Sequence, residues 1–110
     1  MVFMVQTYVV KPEKQAELEA LMPKVLKLIK DKPEKFKGLK SYKAFTHKIG
    51  SVGTYHELFE FADMGVAEKF LDYSYQDKEI LKFWEEFMGQ IVPETFTVHF
   101  WAQLHDYTAK

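Results

Sequence analysis

Residues 53–61, GTYHELFEF, decide the fold of this 110-residue chain, because they alternate with the period of a β-strand. Such a strand has two faces, one with Tyr55, Glu57, Phe59 and Phe61 and the other with His56, Leu58 and Glu60. The first face places a carboxylate between aromatic rings, which marks a candidate site. A loop with two glycines, IGSVG at 49–53, joins this strand to GLKSYKAFTHK at 38–48, which we predict to be its hairpin partner.

The remaining sequence predicts two further strands and two helical regions. The opening stretch MVFMVQTYVV is rich in β-branched and aromatic residues, and TFTVHFWAQLH at 95–105 alternates in the same way. From Glu13 to about Lys30, apolar residues recur at helical spacing, namely Leu18, Leu21, Met22, Val25, Leu28 and Ile29. Pro23 lies inside this stripe and predicts a kink or a reset of the first turns.

The second helical region is predicted in two parts. Asp63 is placed to cap the first part, and Asp77 to cap the second after the pattern breaks at DYSYQD, residues 72–77. The order of elements is therefore βαββαβ. This order predicts an α+β, ferredoxin-like domain over residues 1–110, in which both helical regions cover one face of a four-stranded antiparallel sheet.

The uncovered face of that sheet predicts a homodimer. Two helical regions can cover only one side, and the other side would expose a set of apolar residues that includes Phe3, Val5, Val9, Leu58 and Trp101. A patch of this kind is too apolar to face water, and a second copy packing sheet against sheet would cover it.

Composition excludes several classes of function. A net charge of −1 and a pI near 6.4 argue against a nucleic-acid binder. The absence of cysteine excludes disulfides, thiolate chemistry and zinc–sulfur sites. No signal peptide or membrane-spanning run is present, so we expect a cytoplasmic protein. All 15 basic residues are lysine and asparagine is absent, which fits a thermophile or an AT-rich source.

Three segments carry a resemblance to a known group of proteins. They are VVKPEK at 9–14, GTYHELFEF followed by Ala62 and Asp63, and KFWEEF at 82–87. With the element order, they make the chain similar to the dimeric α/β-barrel superfamily. That superfamily includes antibiotic-biosynthesis monooxygenases, haem-degrading monooxygenases and stress-responsive A/B barrel proteins. The resemblance implies a pocket between the sheet and the helices of each subunit.

Two branches of that superfamily have mechanisms that this sequence does not match. Haem-degrading members use an asparagine on the first strand and a histidine on the second helix. Here Gln6 stands at the asparagine position, and no histidine occurs between residues 63 and 98. The plant polyketide cyclase places a histidine where this chain has Tyr73. The resemblance therefore implies a pocket of the monooxygenase type that works without a cofactor.

The same resemblance places candidate residues on the pocket side of the sheet. Glu57 would be the general base, with Gln6 and Tyr55 as orienting hydrogen-bond donors. The ligand-binding candidates are Tyr8, Tyr73, Phe59 and Trp84. The structural alternatives are a Glu57 that is solvated or pairs with Lys43, a Gln6 tied to the backbone, and aromatic rings that only pack.

The histidines give no metal-ligand spacing. His56, His99 and His105 could form a site with Glu60, but we interpret them as interface residues and predict no metal. The function expected from these observations is that of a monooxygenase-like enzyme acting on a hydrophobic aromatic small molecule. The alternative is a non-catalytic ligand-binding or regulatory barrel, and the sequence does not specify the substrate.

Overall fold

Residues 1–109 are described by a computed structural model in which four antiparallel strands form one sheet. The strands are β1 (Val2–Val9), β2 (Ser41–Thr46), β3 (Thr54–Phe61) and β4 (Thr97–Ala102). Their order across the sheet is β2-β3-β1-β4. The predicted α+β class and the four-stranded antiparallel sheet are confirmed, and GTYHELFEF supplies β3, one of the two central strands.

Three α-helices connect the strands: α1 (Gln15–Asp31), α2 (Met64–Ser74) and α3 (Lys78–Gln90). Single 3₁₀ turns at Pro12–Lys14, Pro33–Phe36 and Pro93–Thr95 each begin with a proline, which suits a position whose N–H would lack a partner. Pro23 lies inside α1, and the helix continues through it for 17 residues. The two predicted caps are present, since Asp63 accepts from the Val66 N–H at 2.9 Å and Asp77 from the Ile80 N–H at 3.0 Å.

The core beneath the helices is divided into two apolar clusters. The first contains Tyr8, Val10, Leu18, Leu21, Tyr55, Phe87 and Ile91. The second contains Met4, Leu28, Phe36, Phe61, Ala67 and Phe70. Between them on the sheet lie Gln6 of β1 and Glu57 of β3, which are partners in the strand register. A polar pair therefore interrupts the apolar face at the centre of the sheet.

All three helices contribute to these clusters, so they lie on the same side of the sheet. On the other side, Phe45 and Trp101 are 51% and 52% exposed in the single chain. We call this side the open face. The prediction that Val5 is exposed there is wrong, because Val5 is only 1% accessible between its register partners Leu58 and His99. Among the residues described, no helix is long and apolar enough to cross a membrane.

Candidate functional site

Glu57 is the buried acid at the centre of the helix-facing side of the sheet. Its Oε1 atom accepts a hydrogen bond from the hydroxyl of Tyr42, which lies on the neighbouring strand β2. The two structural alternatives for Glu57, solvation and a pair with Lys43, are therefore both wrong. The alternation of β2 turns Lys43 toward the open face, opposite Leu58 in the register, whereas Tyr42 points to the helices.

Burial raises the pKa of Glu57 above the ordinary glutamate value, and the hydrogen bond from Tyr42, together with the nearby hydroxyl of Tyr8, offsets part of this effect. Burial, followed by the charge on Glu57, also raises the pKa values of Tyr42 and Tyr8 well above that of a free phenol. Both tyrosines therefore remain protonated donors, while the carboxyl group is the proton acceptor of the three.

Tyr8 differs from Tyr42 in its hydrogen bonding. Its side chain is fully buried, with the ring 5.7 Å from Tyr55 and 4.7 Å from Phe87. Within residues 1–109 its hydroxyl has no hydrogen-bond partner of good geometry, although it lies close enough to Glu57 to respond to its charge. We therefore assign the well-formed hydrogen bond of the buried acid to Tyr42 alone.

An open cleft of about 470 Å³ lies between α1 and the hairpin of β2 and β3. Its lining residues are Glu19, Met22, Pro23, Leu26, Tyr42, Ala44, Phe45, Thr46 and Tyr55. Tyr42 therefore borders the cleft and also donates to Glu57, which is not a lining residue. Tyr42 is therefore the residue that connects the cleft with the buried acid.

A second polar cluster borders the cleft at Tyr55. The Tyr55 hydroxyl donates to Glu19 Oε2 at 2.7 Å, and Gln15 Nε2 donates to the Tyr55 hydroxyl at 3.1 Å. Gln15 Nε2 also lies 3.3 Å from the same oxygen of Glu19. Burial and the hydrogen bond to Glu19 raise the pKa of Tyr55, so its hydroxyl remains protonated.

The predicted site residues fall into two groups. Tyr55 lines the cleft, and Glu57 stands behind it with its register partner Gln6 beside it. Phe59 lies against the ring of Tyr42 at 4.9 Å, and Tyr8 packs in the core. Of the seven predicted residues, Tyr55 alone lines the cleft, and Tyr73 and Trp84 lie in other parts of the fold.

Tyr73 and Trp84 lie elsewhere in the fold. The hydroxyl of Tyr73 donates to Asp77 Oδ2 at 3.0 Å, at the start of α3. Trp84 is 40% exposed and packs on Phe87 and Phe96, with ring centroids 5.5 and 5.3 Å away. Neither residue lines the cleft.

Sequence reasoning missed Tyr42 and Glu19, which both line the cleft. Tyr42 is opposite Phe59 in the register and therefore shares a face with Glu57, a signal that was present once the hairpin register was known. Glu19 resembles any other acid on the charged side of α1. Only the packing of that helix over the hairpin distinguishes it.

The histidine cluster is also different from the one considered in the sequence. His56 Nδ1 lies 3.0 Å from Thr7 Oγ1, and its Nε2 lies 3.0 Å from Nε2 of His47. His47 Nδ1 accepts the Ser51 N–H at 3.0 Å, so the proton of a neutral His47 is on Nε2 and points at His56. In residues 1–109 no three metal-ligating side chains converge.

Comparison with solved structures gives the same overall fold over nearly the whole chain. A NIPSNAP domain protein from Burkholderia xenovorans superposes with a TM-score of 0.75 at 14% identity, covering 99% of this chain and 100% of that one. SnoaB, a cofactor-independent oxygenase from Streptomyces nogalater, superposes with a TM-score of 0.71 at 11% identity, covering 96% of this chain and 94% of that one.

A provisionally named antibiotic biosynthesis monooxygenase from Deinococcus radiodurans superposes with a TM-score of 0.71 at 11% identity, covering 100% of this chain and 99% of that one. This chain has the fold of these proteins. The resemblance inferred from VVKPEK, GTYHELFEF and KFWEEF is therefore confirmed at the level of the fold. No family model matches the sequence, and no curated protein matches it.

Proposed function

We propose that the protein is a cofactor-independent, monooxygenase-like enzyme that binds a hydrophobic aromatic molecule in the cleft and removes a proton from its hydroxyl group. The observation that carries this proposal is the position of Tyr42, which touches both the cleft and the buried carboxyl of Glu57. The shared fold with SnoaB, a cofactor-independent oxygenase, supports the choice of reaction class by analogy.

The proton would move in two linked transfers. The substrate hydroxyl gives its proton to the oxygen of Tyr42 as Tyr42 passes its own proton to Glu57. Tyr42 is neutral before and after the step, and the net result is a substrate anion beside a protonated Glu57. The raised pKa of Glu57 makes it a better proton acceptor than an ordinary carboxylate. The electron-rich anion is then the species that would react with O₂.

The neighbouring residues would have positioning roles. Phe59 supports the ring of Tyr42, and Gln6 lies beside Glu57 in the register, where it would restrict the carboxyl group. The Tyr55 hydroxyl at the cleft wall would orient the substrate, as the sequence predicts. Tyr73 and Trp84 have no part in this proposal because they lie away from the cleft.

We also propose that two copies pair through their open faces. Phe45 and Trp101 stand half exposed on that face, and aromatic side chains of this size are enriched in protein interfaces. Phe45 lies both on β2 and along the cleft, so the partner sheet would narrow one end of the site. Sedimentation velocity at micromolar concentration would test the pairing, and a monomer would contradict it.

A ligand-binding barrel without catalysis is the second candidate. It is favoured by the position of Glu57 behind Tyr42, outside the cleft lining. Oxygen consumption with a panel of electron-rich hydroxyaromatic compounds separates the two functions. The enzyme hypothesis expects turnover that falls on the order of 100-fold or more in Glu57→Gln, which removes the general base. Ligand binding without oxygen uptake or product would support the second candidate.

A further inference from the structure

The cleft carries a single charged side chain, that of Glu19. Its other polar lining residues are Tyr42, Thr46 and Tyr55, and the rest are apolar. Among the lining residues there is no lysine and no histidine, although the chain contains 15 lysines. The lining residues therefore carry one negative charge, at Glu19, and no positive side chain that would neutralise it.

The hydrogen bonds of Glu19 leave one of its oxygens available. Tyr55 and Gln15 both contact Oε2, at 2.7 and 3.3 Å. Within the described chain, the ion pairs involve Glu17, Asp31, Asp77 and Glu79 as acids, and Glu19 is in none of them. Glu17, two residues earlier on the same helix, pairs with Lys14 at 3.3 Å. Glu19 is thus exposed on α1, is contacted by neutral donors and forms no ion pair within the described residues.

The wall of the cleft near α1 is apolar. Met22, Pro23 and Leu26 line it from α1, and Ala44 and Phe45 line it from β2. A flat ring would bury its faces against this wall, as aromatic ligands do in most protein pockets. A ring with a short arm could therefore rest between helix and hairpin and reach polar groups at both Tyr42 and Glu19.

We propose that Glu19 selects ligands by charge, and that the molecule taken by the cleft is a hydroxylated aromatic amine. Its ring occupies the apolar wall, its hydroxyl meets Tyr42, and its ammonium group pairs with Glu19. An anionic ligand is disfavoured because it would approach an unmatched carboxylate without a basic residue to receive it. This assignment rests on the proposed function, since it takes the same cleft as the ligand site.

Three phenols of similar size and different charge test the assignment. Tyramine is a cation, 4-ethylphenol is neutral and 4-hydroxyphenylacetate is an anion at pH 7. We expect tyramine to bind on the order of 5-fold more tightly than 4-ethylphenol, as for a partly exposed ion pair, and the anion to bind most weakly. Titration calorimetry at low and high salt measures the three dissociation constants, and salt should reduce the spread.

Variants locate the effect at one residue. Glu19→Gln keeps the acceptor for Tyr55 and should bring the three affinities within about 2-fold of one another. Glu17→Gln removes a charge from the same helix outside the cleft and should leave the order unchanged. Equal affinities in the natural protein, or the same order in Glu19→Gln, would overturn the charge selection while leaving the cleft as a site. Failure of all three phenols to bind would overturn the site itself.

Discussion

Replacing Tyr42 by phenylalanine removes one hydroxyl and leaves the ring that packs on Phe59 at 4.9 Å. The lost hydroxyl donates to the buried carboxyl of Glu57. A hydrogen bond to a charged group contributes about 1.5–3 kcal/mol to folding, and a buried acceptor left without its donor loses that contribution. We therefore expect Tyr42→Phe to lower the free energy of unfolding by about 2 kcal/mol at a pH above the folded pKa of Glu57, where the carboxyl group is ionised.

Tyr8→Phe is the matched control for this prediction. The Tyr8 hydroxyl is buried against the same carboxyl group but has no well-formed hydrogen bond within the described chain. Its removal should change the free energy of unfolding by less than about 0.5 kcal/mol or increase it slightly, because a buried hydroxyl without a partner is unfavourable.

The effect of Tyr42→Phe should also depend on pH. The hydrogen bond from Tyr42 lowers the pKa of Glu57, so its loss raises that pKa further. Once Glu57 is protonated, the same hydroxyl contacts a neutral group and is worth about 1 kcal/mol. The destabilisation should therefore shrink as the pH falls through the raised pKa of Glu57.

Urea unfolding of both variants at matched protein concentration measures these values. In a domain of this size, 2 kcal/mol corresponds to roughly 10 °C in midpoint temperature, so a thermal scan gives a second reading. Equal losses in Tyr42→Phe and Tyr8→Phe would refute the assignment of the hydrogen bond to Tyr42.

Three further predictions concern Glu57, Asp77 and the open face. Burial raises the pKa of Glu57, so the natural protein should lose stability as pH rises from the ordinary glutamate pKa of 4.5 toward the higher folded value, and Glu57→Gln should flatten this slope in unfolding titrations. The Lys35 ammonium, with Nζ 2.5 Å from Asp77 Oδ2, lowers the pKa of Asp77 from 3.8 to about 2. The free energy of unfolding that this pair contributes above pH 4 should therefore be lost as the pH falls toward 2, and Asp77→Asn should abolish that loss. Trp101→Glu places a charge on the open face and should convert a dimer to monomers in sedimentation velocity, whereas a variant that stays dimeric would place the interface elsewhere.

The sheet could be predicted because the alternation that identifies a strand lies within the strand's own sequence. GTYHELFEF alternates without interruption, and it became β3 with the predicted faces. The caps Asp63 and Asp77 were equally local, since an N-cap contacts a backbone group only three residues away. Pro23 was harder to interpret, because sequence does not reveal whether a helix continues through a proline.

The site was less predictable because its contacts cross between elements. Glu57 was identified from its aromatic neighbours, but its partner depends on how β2 aligns with β3, which places Tyr42 rather than Lys43 beside it. Glu19 enters the site only because α1 packs over that hairpin. Tyr73 was assigned to the site from the resemblance, and it instead supports the cap of α3 through Asp77.

The most direct test of the account is the ionisation of a phenol bound in the cleft. The absorbance of bound 4-nitrophenol distinguishes the phenol from the phenolate and needs no knowledge of the natural substrate. At a near-neutral pH below the pKa of the free phenol, the natural protein should bind it as the phenolate, while Tyr42→Phe and Glu57→Gln should bind it as the neutral phenol. A bound phenol that stays neutral in the natural protein, or is ionised equally in Glu57→Gln, would contradict proton transfer to Glu57 through Tyr42.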